Sequence, residues 1–152
     1  MPTFVSNASP LIAFERLQRL DLLQSLTGEI IIPPAVRLEV FAGVELPSWL
    51  HERSIGQPFS VQLLAPRLGP GEREAIALAL ELRPSFVLLD DLPARRAADE
   101  LGLSVLGTVG LLLLAKERAL LPSVQPLLNQ LIALEFRVSP RLYRAALARA
   151  GE

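Results

Sequence analysis

Residues 86–101 read Phe86-Val87-Leu88-Leu89-Asp90-Asp91-Leu92-Pro93-Ala94-Arg95-Arg96-Ala97-Ala98-Asp99-Glu100-Leu101: four apolar residues, two adjacent aspartates, then a polar run broken by alanines. A short strand without apolar/polar alternation is buried on both faces. When a helix follows it directly, the pair belongs to a parallel sheet. The polar run, with Arg95, Arg96, Asp99 and Glu100, is predicted to form a solvent-facing helix over 91–101. The same unit recurs along the chain. Phe4–Asn7, Glu29–Ile32 and Ser104–Leu106 read as further strands, each followed by helical composition, which makes the class α/β.

Local signals set several helix limits. Ser9-Pro10 and Ser139-Pro140 each place a capping hydroxyl before a proline that the first helical turn tolerates, so helices are predicted to start there. Leu11–Leu26 reads as one broken or two short helices. Pro33-Pro34 ends the second strand and opens a helix through Phe41, closed at Gly43. Apolar side chains surround the Glu72–Leu82 helix, which is therefore mostly buried; Thr108–Leu120, Pro122–Leu134 and an amphipathic Ser139–Ala150 complete the set. Glu45–Gly69, with Pro47, Pro58 and Pro66, is predicted to be a loose, mobile connection. No repeat or linker divides residues 1–152, and a single domain of this length buries roughly 70% of the surface of its unfolded chain.

Composition narrows the chemistry. The chain is 51% hydrophobic and 20% charged, with 14 Arg, one Lys, one His and no Cys. Thiol nucleophiles, disulfides and Cys-ligated zinc are excluded, and any Ser-His-Asp arrangement rests on His51 alone. Catalysis, if present, falls to carboxylates. The net charge of −1 gives no bulk attraction to nucleic acid. Residues 112–152 nevertheless carry six basic against three acidic side chains, which allows a basic rim beside an acidic site. The N-terminus lacks the pattern of a signal peptide, and the apolar stretch Leu101–Ala115 falls short of the ~20 residues of a spanning helix. The expected location is the cytoplasm, away from membranes.

Ligands of a parallel sheet bind beyond the carboxyl ends of its strands. The first predicted strand ends at Asn7 with Ser9 just beyond, the third at Asp90 and Asp91, the fourth at Gly107 and Thr108. Glu39 sits among apolar residues in Val36-Arg37-Leu38-Glu39-Val40-Phe41, so an acid there needs a partner if that helix packs as its neighbours suggest. Glu74 poses the same question, and helical periodicity does not choose between it and Glu72. No Gly-rich phosphate loop follows a strand, which argues against a nucleotide-binding or phosphatase domain.

Taken in order, Val5-Ser6-Asn7-Ala8-Ser9-Pro10, Pro33-Pro34-Ala35-Val36 through Glu39, Gly71-Glu72-Arg73-Glu74-Ala75, Leu88-Leu89-Asp90-Asp91 with Arg95, and Gly107-Thr108-Val109-Gly110 resemble the PIN-domain nucleases, in particular the small prokaryotic branch related to VapC toxins. The resemblance implies a three-layer α/β/α sandwich around a parallel sheet of four or five strands. It implies a site in which Asn7, Glu39, Glu74 and Asp91 bind Mg²⁺ or Mn²⁺ and cut single-stranded RNA, with Ser9, Asp90 and Thr108 in support. Arg95 is the foremost candidate for the RNA backbone, beside Arg96, Arg141, Arg144 and Arg149. A structured RNA, a small antitoxin protein and a second copy of the chain are the further partners it implies.

Asn7 stands where the family has aspartate, and an amide oxygen still coordinates a cation but adds no charge. The alternative function is therefore a PIN-fold module that binds RNA or protein without cutting. Each acid also has a plainer role: Asp91 as the cap of the helix that follows, Asp90 as a cap or loop acid, Glu39 and Glu74 as ordinary helix acids. Ser9 doubles as an N-cap, and Asn7 as a turn residue.

Overall fold

A computed structural model describes residues 2–57 and 67–152. Among them lie β1 (Phe4–Ser6), α1 (Ala8–Arg16), α2 (Leu20–Thr27), β2 (Ile30–Ile32), α3 (Pro34–Phe41), β3 (Leu50–Glu52), α4 (Pro70–Leu82), β4 (Phe86–Leu88), α5 (Leu92–Glu100), β5 (Val105–Leu106), α6 (Thr108–Glu117), α7 (Gln125–Ala133) and α8 (Pro140–Ala150). The five strands are all parallel, in spatial order β3-β2-β1-β4-β5. The chain starts at the centre, steps outward to β3, and returns past β1 to β4 and β5. Strand order thus reverses between β1 and β4, where such sheets open their ligand crevice.

Register explains why β2 and β4 read as unbroken apolar runs and β1 as nearly one. Phe4 pairs with Ile30 and Phe86, and Val5 with Ile31 and Val87. Successive side chains then point to opposite faces. Phe4, Ile30, Ile32 and Leu88 pack into a core with Leu11, Phe14, Leu23, Leu111 and Leu128, which come from α1, α2, α6 and α7. Val5, Val87 and Leu89 pack into a second core with Ile76 and Leu78 of α4 and Ala94 and Ala98 of α5. Helices cover both faces, so the three-layer sandwich is complete. No helix among the described residues is long and apolar enough to cross a membrane.

The structure corrects several local expectations. Strand β3 lies inside Glu45–Gly69, which reads as a loose connection from sequence. It is an edge strand with only Leu50 buried, so it lacks the apolar run that marks the others. Trp49, just before it, is buried in the larger core. Residues 58–66 of the expected connection lie outside the described residues. Helix α1 begins at Ala8, with Asn7 in the N-cap position, so Ser9 is already helical and its hydroxyl does not cap. Ser139 does cap α8, accepting from the Leu142 N–H at 3.0 Å.

Helix α7 has Val124 at its N-cap, a residue with no capping side chain. Glu152 replaces it from beyond α8: its carboxylate accepts from the N–H groups of Val124 at 2.8 Å and Gln125 at 3.1 Å and from Lys116 Nζ at 2.9 Å. These bonds, the Val124 N–H first, hold the Glu152 carboxyl below its ordinary range. They also help seat α8 beside α7 and α6. A carboxyl with a lowered pKa stabilises the fold above its unfolded pKa, and the effect disappears as pH falls through the lowered value. Glu152→Gln is therefore expected to lower Tm at pH 7, with the gap to wild type closing under acid conditions in a pH series of thermal melts.

Candidate functional site

Three strand ends meet at the reversal point. Asp90 follows β4, and its Oδ1 accepts from the Thr108 N–H at 2.7 Å, while its Oδ2 accepts from Thr108 Oγ1 at 2.7 Å and Ser9 Oγ at 3.0 Å. One carboxylate thereby ties the start of α1, the end of β4 and the start of α6. Anionic acceptors suit a helix N-terminus, where unpaired N–H groups carry partial positive charge. Gly107 sits under this network: a Cβ there would stand 3.0 Å from Asp90 Oδ1 and collide with Arg95 Nη1. Ser9, Asp90 and Thr108 thus act together as a scaffold.

Asp91 has a different job. It is exposed and caps α5, accepting from the Ala94 N–H at 3.2 Å. Adjacent residues of an extended chain point in opposite directions, so only Asp90 reaches Ser9 and Thr108, while Asp91 stays on the cleft's edge at the start of α5.

Asn7 is 2% exposed, and its N–H donates to the Leu88 carbonyl at 3.0 Å. Its side chain makes no cap bond to α1, and the buried Oδ1 has no hydrogen-bond partner. Such an orphaned acceptor costs about 1–3 kcal/mol unless something takes it up. The oxygen is aimed at Gly71 in the first turn of α4. A Cβ on Gly71 would lie 3.1 Å from Asn7 Oδ1 and 3.3 Å from Glu39 Oε2, so both oxygens converge on the space that glycine leaves open.

Glu39 itself is exposed on the open side of α3, whose buried residues are Val36 and Phe41. The expectation of a packed acid in need of a partner is corrected: the Glu39 face of that helix borders the crevice rather than the core. Glu72, not Glu74, joins it. A hollow of about 270 Å³ is lined by Asn7, Ser9, Ile12, Arg16, Glu39, Glu72 and Phe136. Glu74 turns instead toward the start of α3 and accepts from the Ala35 N–H at 3.1 Å. Of the four residues expected to act together, the structure brings Asn7 and Glu39 to one point and leaves Glu74 and Asp91 on helix N-termini.

No three acidic or histidine side chains gather at metal-holding distance among the described residues. Mg²⁺ nonetheless keeps several waters and is commonly held by one or two carboxylates. The orphaned Asn7 oxygen, the opening at Gly71 and the carboxylates of Glu39 and Glu72 on the same hollow fit such an ion.

A larger cleft of about 620 Å³ adjoins this hollow and shares Ser9, Glu72 and Phe136 with it. Arg95 and Arg137 line the cleft, and Arg16 stands 5.6 Å over the Phe136 ring. Arg96, Arg141, Arg144 and Arg149 line neither space. Arg16, Phe136 and Arg137 escaped sequence reading, because no local pattern links α1 to a residue 120 positions on.

The family model DUF3368, described as PIN domain, matches residues 3–152. No curated protein matches the chain. The two aspartates separate in their energetics. Asp90→Ala, which strands two donors of Thr108 and one of Ser9, is expected to cost about 2–3 kcal/mol in denaturant unfolding. Asp91→Ala, a lost cap, is expected to cost about 1 kcal/mol.

Proposed function

The chain belongs to the PIN-domain family, whose members share a nuclease-type fold, and from that premise we propose that it is a divalent-metal-dependent endoribonuclease acting on single-stranded RNA. The observation that carries this reading is the unpartnered, buried Asn7 Oδ1 converging with Glu39 Oε2 on the gap at Gly71. Asn7, Glu39 and Glu72 would hold Mg²⁺ or Mn²⁺. The ion, when bound, supplies charge compensation for the phosphodiester and a more acidic water.

The remaining work belongs to the protein. The bond from the Asn7 backbone N–H to the Leu88 carbonyl anchors this residue just beyond β1, and burial confines its side chain, so the neutral donor would be at hand before any cation arrives. Glu39 and Glu72 bring the negative charge that Asn7 lacks. Asp90 keeps the start of α6 against the crevice, and the three hydrogen bonds its oxygens accept support a positioning role for it. Arg95, alongside Gly107, places a guanidinium where a phosphate leaving the acidic hollow would pass.

RNA cleavage is expected with Mn²⁺ or Mg²⁺ and to stop with EDTA. Glu39→Gln and Glu72→Gln are expected to reduce it at least a hundredfold with unchanged circular dichroism, whereas Asp91→Asn keeps most activity; cleavage that survives both glutamate substitutions overturns the proposal. Gly71→Ala supplies an independent check. Alanine favours a helix by about 1 kcal/mol over glycine, yet its methyl enters the gap. Calorimetric titration with Mn²⁺ should therefore show weaker binding without loss of thermal stability. Asn7→Asp should show tighter binding.

A second reading, a PIN-fold module that binds RNA or protein without cutting, is favoured by the lack of a three-acid cluster among the described residues. Absence of measurable Mn²⁺ binding in the same titration selects it. The toxin role, with a small antitoxin as partner, rests on the motif resemblance; its expected sign is growth arrest on expression that Glu39→Gln relieves.

A further inference from the structure

The larger cleft differs from the acidic hollow beside it. Its wall is mainly apolar, with Val105, Val109, Leu113, Leu131, Val138 and Leu142 among the residues that line it. Two of the carboxylates at its edge already hold backbone N–H groups: Asp90 with Thr108, Asp91 with Ala94. The cations on its wall are Arg95 and Arg137, neither of them ion-paired among the described residues. An apolar recess with guanidinium groups near its mouth, continuous with a phosphodiester site, suits a flat aromatic ring joined to a phosphate. We infer that this cleft is a nucleobase subsite, which takes a base of the RNA strand next to the phosphate that a cation at Asn7, Glu39 and Glu72 would meet, with Phe136 as its stacking platform.

Phe136 is placed for that role by a tight bend. Helix α7 ends at Ala133, Glu135 takes a left-handed φ of 67°, and the Phe136 N–H returns to the Leu131 carbonyl at 3.0 Å. This is a helix-ending turn that usually contains glycine, kept here with glutamate at a conformational cost. The bend sets the ring as the partition between the two spaces, since Phe136 lines both. Arg16, which lines only the acidic hollow, covers the ring from that side and holds it by a cation–π contact. Gly110 lies on the cleft wall inside α6, where glycine is unfavourable in a helix. A Cβ there would meet only Leu106 Cδ2, at 3.4 Å, so the bare position leaves depth in the cleft. The volume of about 620 Å³ suits a small ligand.

The subsite rests on the ribonuclease reading, and its test keeps the two apart. Fluorescence anisotropy in EDTA compares a single-stranded oligoribonucleotide with an abasic strand of the same length. Wild type is expected to prefer the base-bearing strand about tenfold or more. Phe136→Leu keeps apolar bulk without the aromatic face, and Gly110→Leu fills the cleft without touching the acids. Both are expected to lose the preference while binding the abasic strand as before, and Phe136→Trp is expected to keep it. Metal-dependent cleavage by a wild-type protein that binds both strands equally, or by variants that keep the preference, overturns the subsite and spares the nuclease reading. A protein that binds neither strand and cuts nothing overturns both.

Discussion

The carboxylate of Asp90 collects hydrogen bonds from Ser9 and Thr108 across three separate strand ends, and the geometry of the carboxyl edge follows from that gathering. An anion in a partly buried position is stable only when its lone pairs are occupied. Here the partners are a serine in α1 and the first residue of α6, so satisfying the anion fixes where both helices begin. That in turn places Asn7 beside β4 and Arg95 against Gly107. The acid closest to the fold's reversal point is thus a building element, and its charge is already engaged.

The chemistry is left to residues that the scaffold holds apart from their usual partners. An asparagine at an N-cap ordinarily turns its oxygen onto the helix backbone. Asn7 does not, and its buried oxygen faces the bare Cα of Gly71 together with a glutamate from α3. The packing of α3 on α4 creates this convergence, with Glu74 gripping the start of α3 and Gly71 admitting Glu39 one turn away. The two glutamates of α4 differ by two residues, about 200° around a helix. One therefore faces the crevice and the other the neighbouring helix, which divides binding from support.

Much of this was legible in the residues. Phe4-Val5 and the unbroken apolar runs at 30–32 and 86–88 announced strands covered on both sides, and the paired prolines at 33–34 marked the start of α3. The broken pattern of 11–26 resolved into α1 and α2. Strand β3 was not legible, because an edge strand with His51 and Glu52 outward carries no apolar signature. Ser9 carried a cap signature that tertiary structure overrode, since Asp90 offered its hydroxyl a charged acceptor.

By itself the sequence determined the class of the fold, the order of its elements and the dependence of any chemistry on oxygen donors, because periodicity, proline placement and the absence of cysteine are properties of the chain. Which acids meet was decided only in three dimensions. Asp90 against Asp91 and Glu72 against Glu74 are choices of direction between near neighbours, and direction depends on what packs against each element. The wall built from Arg16 and Phe136 is a choice of the same kind: nothing local joins residues so far apart, and only the docking of α7 and the turn after it beside α1 brings a guanidinium over a ring.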